Sequence, residues 1–291
     1  MILPGEPQTA ADVGGHYDEL DRVYRDIWGE HVHHGYWRTG HETPREATEA
    51  LIALVAARLA LKGGERLCDI GCGYGGTARH LAERYAAEVT GLTISAAQAD
   101  YAAKQAVSGG SATILRRDWL ANGLPDATFD GAYAIESSEH MVDKPRFFAE
   151  AHRVLRPGGR LVVCAWLAKS APSAFEVDRL LEPICREGRL PGMGSREDYE
   201  EMAAAAGFTP SGFEDIGRRV CKTWAICMRR VAAGLVTDPA LRRMALSRAT
   251  RNRSFLLSLP RLWYALRTGA MRYGVFAWQK SHSHPGGSRG P

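Results

Sequence analysis

The segment 67–76, LCDIGCGYGG, constrains the fold of this chain more than any other feature. Its apolar start predicts a buried strand, and the glycines that follow predict a tight turn into a helix. Gly71, Gly73 and Gly75 lack a Cβ, so the backbone there can take positive φ values and approach a ligand closely. Such a turn belongs at the carboxyl edge of a parallel sheet, where open α/β proteins bind ligands.

Apolar runs and helical stretches alternate along the chain, which is typical of a doubly wound sheet. The predicted strands are 66–70, 88–92, 113–117, 129–135 and 160–166, and the predicted helices are 76–85, 96–106, 145–154 and 198–207. Residues 156–160, RPGGR, predict a sharp turn in which a proline stops one helix and glycines lead into the next strand. The predicted fold is α/β, a Rossmann-like, doubly wound, mostly parallel sheet with an N-terminal helical cap and a helical C-terminal extension.

The glycine turn also narrows the kind of ligand. Its spacing is G-x-G-x-G, which differs from the G-x-G-x-x-G cradle that places a pyrophosphate on a helix N-terminus. Asp69 lies two residues before the first glycine and could neutralise an ammonium group. A nucleoside that carries an amino-acid tail and no phosphate suits this turn, and S-adenosylmethionine is such a molecule. Glycine-rich loops also serve only as tight turns, so the later strand ends must support the assignment.

The ends of the second and third strands offer further polar groups. A dinucleotide or S-adenosylmethionine site usually has an acid after the second strand, where this chain has Thr93. Thr93, Ser95 or Gln98 could hydrogen-bond a ribose, although Ser95 is equally explained as the N-cap of the next helix. After the third strand, Asp118 could accept from an adenine amino group with Trp119 stacked nearby. The structural alternative for Asp118 is a surface turn.

The fourth predicted strand ends in the polar run ESSEH, residues 136–140. His140 has an ordinary pKa near 6.5 and could take a proton from an acceptor hydroxyl or amine. A single histidine is more often structural, but two carboxylates beside it at the ligand edge favour a catalytic role.

Residues 16–37 contain many aromatic and histidine residues. Tyr17, Tyr24 and Trp28 share one face at helical spacing, which also fits a structural core stripe. The histidines of the HVHH run invite a metal site, but no carboxylate or cysteine cluster supports it. No metal is predicted.

Composition bounds the protein class. The 291 residues are 45% hydrophobic and 24% charged, as in an ordinary globular protein. Six scattered cysteines without zinc spacing, no membrane-length apolar run and no N-terminal signal pattern favour a cytoplasmic protein. Residues 216–280 hold fourteen basic residues and one acid. This basic segment could touch a membrane surface or an anionic partner, or form only a solvated helical face.

Together these motifs resemble the class I S-adenosylmethionine-dependent methyltransferases. The glycine turn, the run 136–140 after the fourth strand and LRPGG at 155–159 match in order. WGEHVHHGY at 28–36, the run 136–141 and the G-x-x-x-Y-G-x-F pattern at 269–276 look like the gamma-tocopherol methyltransferase-like branch. Relatives in that branch methylate sugars, sarcosine-type amines and alkaloid nitrogens. Thr93 departs from the acid of many members, but Thr-x-Ser is shared with the tocopherol-like and cyclopropane-synthase-like branches.

The resemblance implies S-adenosyl-L-methionine as cofactor and assigns roles to residues at the strand ends. The cofactor-binding set is Tyr17, Tyr24, Trp28, Asp69, Gly71, Gly73, Thr93, Ser95, Gln98, Asp118, Trp119, Glu136 and Ser137. Tyr17, Tyr24 and Trp28 would cover the cofactor, and the 136–137 backbone would lie beneath it. The catalytic set, which would orient or deprotonate the acceptor, is His140, His34 and Glu136.

The resemblance also suggests five parts of the chain. These are a disordered N-terminus (1–15), a helical cap (16–62), a cofactor-binding core (63–170), an acceptor lid with the rest of the fold (171–280) and a disordered tail (281–291). The last long part is predicted to be mostly helical, with weak strand signals at either end.

The predicted function is methyl transfer to a small, hydrophobic natural-product acceptor, such as a prenylated phenol, an isoprenoid or an alkaloid. A sugar O-methyltransferase is the first alternative, and cyclopropane chemistry on acyl chains is less favoured. An NAD(P)-dependent oxidoreductase and a non-catalytic nucleotide-binding module are alternatives of other classes. No nucleic-acid partner is expected, because the chain lacks an Asn/Asp-Pro-Pro-Tyr/Phe segment after the fourth strand. The oligomeric state is left open.

Overall fold

The computed structural model describes residues 1–247, 250, 252 and 254–281. Over these residues the centre of the molecule is a seven-stranded sheet with the order β3-β2-β1-β4-β5-β7-β6. The strands are β1 (Arg66–Ile70), β2 (Glu88–Thr93), β3 (Ser111–Arg116), β4 (Phe129–Ile135), β5 (Leu155–Ala168), β6 (Phe208–Asp215) and β7 (Met271–Lys280). Strands β1 to β5 pair in parallel, and β7 runs antiparallel to β5 and β6. This confirms the predicted Rossmann-like, mostly parallel sheet.

Helices pack on both faces of the sheet, which explains why its central strands are almost continuous apolar runs. The helices are α1 (Ala10–Glu19), α2 (Asp21–Ile27), α3 (Pro44–Leu59), α4 (Gly76–Tyr85), α5 (Ala96–Ala102), α6 (Lys144–Val154), α7 (Ala174–Glu176), α8 (Glu182–Glu187), α9 (Arg196–Ala205), α10 (Gly217–Val220), α11 (Lys222–Thr237), α12 (Pro239–Leu246) and α13 (Phe255–Thr268). Short 3₁₀ turns occupy Trp119–Ala121 and Ser138–His140, and a π-helical turn occupies Val177–Leu181. No helix in these described ranges has both the length and the apolar character needed to cross a bilayer.

The N-terminus is ordered, which corrects the prediction of disorder for residues 1–15. Ile2 and Met193 exchange two backbone hydrogen bonds of 2.8 Å each. Thr9 and Asp12 then form a capping box that starts α1, with the Thr9 hydroxyl accepting from the Asp12 N–H and the Asp12 carboxylate accepting from the Thr9 N–H. The capping box can be recognised in the sequence, but the Gly and Pro residues around it favoured the prediction of disorder. Apart from Ser281, the predicted disordered tail 281–291 lies outside the described residues.

One strand prediction needs correction, and another is confirmed. Residues 156–159, predicted as a turn before a strand starting at 160, lie inside β5, where the register with β4 shifts between Phe129 and Gly131. Gly158 has φ +79°, so the predicted break in regular structure is a bulge within a longer strand. The weak strand signal near 280 is β7, a ten-residue strand buried between β5 and β6.

Candidate active site

A cleft opens at the carboxyl ends of the parallel strands. Its walls come from the loops after β1, β2, β3 and β4, and α1 covers it with Ala10, Val13 and Tyr17. Among the predicted cofactor-binding residues, those that line this cleft are Tyr17, Asp69, Gly71, Gly73, Thr93, Gln98, Asp118, Trp119, Glu136 and Ser137.

The glycine turn forms the floor of the cleft. Gly71, Gly73 and Gly75 have φ values of +77°, +54° and +74°, a region that L side chains rarely adopt. A Cβ on Gly71 would lie 2.4 Å from the Cβ of Ser137. The Ser137 hydroxyl donates to the Ile70 carbonyl, which ties the loop after β4 to the end of β1. Glycine at position 71 is therefore required by both the backbone conformation and the close approach.

Asp69 presents a buried carboxyl group at the end of β1. The Tyr133 hydroxyl donates to its Oδ2 at 3.0 Å. Burial raises the pKa of Asp69 to about 7, and the Tyr133 hydrogen bond offsets only part of that rise. A cationic ligand group in the cleft would favour the ionised carboxylate.

Thr93, at the end of β2, holds the side chain of Gln98 from α5 at the cleft. The Thr93 hydroxyl donates to Gln98 Oε1 at 2.7 Å, so the Gln98 NH₂ group remains available as a donor. Ser95 lies outside the cleft lining. Its hydroxyl caps α5 by accepting from the Gln98 N–H, and it donates to Asp18 of α1 at 2.5 Å. The structure thus supports the alternative interpretation of Ser95, in which it is the N-cap of α5 and not a ribose ligand.

Asp118 and Trp119 occupy the loop after β3. Asp118 lines the cleft, and its carboxylate accepts from the Leu120 N–H at 2.9 Å. Trp119 also lines the cleft, but only 2% of its surface is exposed. Its indole N–H donates to the Phe147 carbonyl at 3.2 Å, and its ring packs against Phe147 in the core. The ring is therefore held rigidly at the edge of the cleft.

Glu136, the first residue after β4, connects three distant parts of the chain. Its carboxylate accepts from the His34 N–H (2.7 Å), His34 Nδ1 (2.8 Å), the Trp166 indole N–H (3.1 Å) and the Tyr273 hydroxyl (2.8 Å). Burial alone would raise the pKa of Glu136, but His34 and His33 outweigh it and the pKa is lowered. The residue has φ +54°, a strained backbone conformation for a side chain of this size. An ionised carboxylate with four donors holds this loop in place.

His34 lies behind the cavities and lines neither of them. Its Nδ1 donates to Glu136, and its Nε2 has no hydrogen-bond partner within the described residues. The ring packs edge-on against Trp224 at 4.9 Å and Trp166 at 5.7 Å between centroids. The structure thus places His34 against Glu136, where the two residues support aromatic side chains.

His140 and Tyr17 meet where the cleft narrows. The Tyr17 hydroxyl lies 2.9 Å from His140 Nε2. Burial is the main cause that lowers the pKa of His140 to about 3, with the nearby His16 adding to it. The imidazole is therefore neutral at physiological pH, and it can hydrogen-bond an acceptor more readily than it can hold a proton.

A second cavity of about 470 Å³ adjoins the cleft. Both linings include Tyr17, Val32, Glu136 and His140. The remaining lining residues of the second cavity are Tyr24, Trp28, Glu139, Trp166, Gly188, Leu190 and Trp224. Tyr24 and Trp28, predicted to cover the cofactor, line this second cavity and not the cleft. The site is thus a polar cleft joined to a mainly aromatic cavity.

Several residues of the site were missed by sequence reasoning. Trp166 and Tyr273 lie on neighbouring strands β5 and β7, which meet only through an antiparallel pairing that the sequence did not reveal. Trp224 comes from α11, far along the chain. Glu139 was noted in the polar run after β4 but received no role. In the described residues, no cluster of three or more His, Cys, Asp or Glu side chains is arranged to hold a metal ion.

The cleft fits S-adenosylmethionine in shape and chemistry. The glycine turn forms a cradle that a Cβ on Gly71 would fill, and Asp69 is a carboxylate suited to an ammonium group. Gln98 offers a donor for ribose oxygens, and Asp118 offers an acceptor for an adenine amino group. The buried Nδ1 of His31, at the cleft wall, has no partner among the described side chains and backbone groups. These groups suit a nucleoside with an amino-acid tail.

Comparison with known proteins agrees with this geometry. The family model of mycolic acid cyclopropane synthetase matches residues 6–233. The chain is 34% identical over 226 residues to 27-O-demethylrifamycin SV methyltransferase of Amycolatopsis mediterranei (strain S699), covering 76% of this chain and 82% of that protein. It is 28% identical over 293 residues to the chloroplastic tocopherol O-methyltransferase of Arabidopsis thaliana, covering 91% and 80%. The solved structure of mycolic acid cyclopropane synthase CmaA1 complexed with SAH and CTAB has a TM-score of 0.81 at 26% identity, covering 94% of this chain and 99% of that one.

These likenesses confirm the predicted cofactor and enzyme class. The chain is an S-adenosylmethionine-dependent methyltransferase that acts on small-molecule acceptors. The oxidoreductase and the non-catalytic binding module are therefore rejected as alternatives. The chain belongs to the mycolic acid cyclopropane synthetase family of class I S-adenosylmethionine-dependent methyltransferases.

Proposed function

We propose that this protein O-methylates a hydrophobic, phenol-type acceptor. The observation that carries the proposal is the second cavity, whose aromatic walls adjoin the cofactor cleft through Tyr17, Glu136 and His140. The tocopherol and rifamycin relatives are named as O-methyltransferases or for an O-demethylated substrate, which supports oxygen as the methylated atom.

The cofactor supplies an electrophilic methyl group on a positively charged sulfur. The protein's part is to hold the two reactants in line and to exclude water, because methyl transfer depends mainly on positioning. Asp69 and the glycine turn hold the methionine end, Gln98 the ribose and Asp118 the adenine. Glu136 and Ser137 form the surface next to the reacting centre, and Tyr17 covers it from α1.

The second cavity favours a planar apolar acceptor. Tyr24, Trp28, Trp166 and Trp224 provide flat hydrophobic walls, and stacking on such walls stabilises an aromatic ring by about 0.5–1.5 kcal/mol beyond burial. A sugar buries several hydroxyls, each of which needs a polar partner. The cavity therefore supports the phenolic acceptor over the sugar alternative.

The predicted catalytic residues divide into two roles in this proposal. His140 and Tyr17 lie at the junction of the two cavities, where they would orient the acceptor hydroxyl. His34 and Glu136 form a buried hydrogen-bonded unit that positions Trp166 and Trp224. Deprotonation of the acceptor by His34 is not part of the proposal, because the ring lines neither cavity.

The basic segment 216–280 is largely structural, and one part of it supports a weak membrane contact. It supplies α11, α13 and β7 to the packed fold. Helix α12, in contrast, has no buried residue, and Leu246 is 78% exposed on the same helix as the exposed Arg242 and Arg243. Apolar and cationic side chains together suit the surface of an anionic bilayer. Cytoplasmic location stays a prediction.

The proposal is tested by offering purified protein and methyl-labelled cofactor to matched acceptor sets. These are hydrophobic phenols and hydroquinones, free and glycosidic sugars, and secondary amines. The proposal expects label in the phenols at least tenfold above the other sets. Dominant transfer to sugars or amines would overturn the acceptor class and leave the enzyme class intact.

A further inference from the structure

We propose that Glu139 accepts the proton of the acceptor hydroxyl during methyl transfer. This inference rests on the proposed function, since it assumes an acceptor with an ionisable hydroxyl in the second cavity. It adds a catalytic residue to a site in which neither His140 nor the His34–Glu136 pair is suited to take that proton.

The position of Glu139 supports the proposal. It lies in the short turn Ser138–His140 after β4 and lines the second cavity beside His140. Its Oε1 accepts from the Trp166 N–H at 2.6 Å, and its Oε2 accepts from the Ser138 hydroxyl at 3.1 Å. The Ser138 hydroxyl is itself 2.9 Å from the Tyr199 hydroxyl. The carboxylate is therefore fixed in one orientation at the cavity wall.

No cation forms an ion pair with this carboxylate in the described part of the chain. The nearby Lys144 ammonium donates to the backbone carbonyls of Glu139 and Met141, each at 3.1 Å. Glu136, three residues earlier, differs in this respect because four donors, two of them from His34, hold it as an anion. Two carboxylates at one site thus have environments suited to different tasks.

The electrostatics of Glu139 agree with a proton acceptor. Burial is the main cause that raises the pKa of its carboxyl group to about 7, partly offset by the Trp166 N–H. The titratable groups that interact with it are Glu136, Lys144, Tyr17, Cys164, Tyr199 and Tyr273. A base with a pKa near the working pH is the most effective kind. His140, with its pKa of about 3, holds a proton far less well.

The step conserves atoms and charge. The acceptor O–H bond breaks and its proton goes to the Glu139 carboxylate, while an oxygen lone pair forms the bond to the methyl carbon. The pair of the carbon–sulfur bond stays on sulfur, whose positive charge is thereby neutralised. Glu139 then returns its proton to solvent as the product leaves.

The test compares Glu139→Gln with the matched control Glu136→Gln on two phenols. One phenol has a high hydroxyl pKa, and the other, a nitrophenol, is already ionised at the assay pH. For Glu139→Gln we expect kcat to fall roughly 100-fold or more with the first phenol and about threefold or less with the second. Glu136→Gln should slow both phenols by a similar factor, because it disturbs the aromatic wall.

Two further readouts separate a chemical role from a structural one. The carboxylic acid stretch in the infrared spectrum of the wild type should lose intensity between about pH 6 and about pH 8, and this loss should be smaller in Glu139→Gln, where Asp69 still contributes to it. The affinity of Glu139→Gln for S-adenosylhomocysteine should stay within about threefold of wild type.

The outcomes are distinguishable. Equal losses with both phenols in Glu139→Gln, or an infrared change as large as that of the wild type, would overturn the role of Glu139 while the proposed function stands. A wild type that binds S-adenosylhomocysteine but methylates neither phenol would overturn the proposed function and this inference with it.

Discussion

The carboxylate of Glu136 accepts hydrogen bonds from both the backbone N–H and the Nδ1 of His34, at 2.7 and 2.8 Å, across 102 residues of sequence. This pair joins the loop before α3 to the end of β4, and Trp166 and Tyr273 complete it from β5 and β7. The aromatic wall of the second cavity therefore depends on one buried anion.

Removing that anion should destabilise the whole fold. Glu136→Ala leaves four buried donors without an acceptor, and we expect the free energy of unfolding to fall by about 3–5 kcal/mol. Urea denaturation measures it. Glu49→Ala, which removes a surface partner of Arg45, should change stability by less than about 1 kcal/mol. Equal effects of the two substitutions would contradict the central role of Glu136.

The glycine turn should be essential for cofactor binding. In Gly71→Ala the new Cβ would lie 2.4 Å from Ser137 Cβ at a φ of +77°, so the turn and the loop after β4 must move apart. We expect the Kd for S-adenosylhomocysteine, measured by calorimetry, to rise about 100-fold or more. Gly40→Ala is the matched control, because Gly40 has φ +84° and a Cβ added there would meet no atom within 4 Å. Similar losses in both variants would show that backbone strain alone explains the result.

Substitutions of Gln98 and Ser95 should distinguish a role in ligand binding from a role in helix capping. Gln98→Ala removes the proposed ribose donor and should raise the Kd for S-adenosylhomocysteine about tenfold. Ser95→Ala removes the cap of α5 and should cost about 1 kcal/mol of stability, with a change in Kd of about threefold or less. A larger loss of affinity in Ser95→Ala than in Gln98→Ala would place the ribose on Ser95.

Substitution of Trp28 should weaken binding of the acceptor and not of the cofactor, because Trp28 lines the second cavity and not the cleft. For Trp28→Ala we expect KM for a phenolic acceptor to rise at least tenfold, while the Kd for S-adenosylhomocysteine changes little. Steady-state kinetics and calorimetry on the same preparation give both values. A loss confined to cofactor affinity would show that Trp28 covers the cofactor, as the resemblance implied.

Asp69 should make cofactor binding depend on pH. Its pKa of about 7 in the free protein is raised by burial, and an ammonium group beside it would lower that pKa. Binding below about pH 7 therefore releases a proton, so the affinity for S-adenosylhomocysteine should increase as pH rises towards 7 and then level off. Calorimetry in buffers of different ionisation enthalpy counts the protons. Asp69→Asn should bind more weakly and with no such slope; an unchanged slope would exclude Asp69 as its source.

Local patterns in the sequence were enough for the core of the fold. The glycine turn and the apolar strands 66–70 and 129–135 were predicted with the bounds that β1 and β4 have. Strand β7 was only weakly indicated, because its place between β5 and β6 depends on pairing with strands far away in sequence. The capping box of α1 shows the opposite case, a local signal that glycine and proline content concealed.

In the candidate site, too, local features could be predicted and features that depend on distant parts of the chain could not. Most polar groups of the cleft could be predicted because they lie at the end of a strand or shortly after it. The second cavity could not, since Trp28, Trp166, Leu190 and Trp224 come from four separate parts of the chain. The distinction between Glu136 and Glu139 also needed the structure, because it depends on which buried donors reach each carboxylate.

The most direct test of the account is to locate the methyl group in the product. Purified protein, cofactor carrying a ¹³C-labelled methyl group and a hydrophobic phenol are incubated, and the product is examined by nuclear magnetic resonance. The account predicts a single labelled methyl resonance in the range of aryl methyl ethers, with one S-adenosylhomocysteine formed per methyl transferred. Label on carbon or nitrogen, or no transfer by protein that binds S-adenosylhomocysteine, would contradict O-methylation of a phenol.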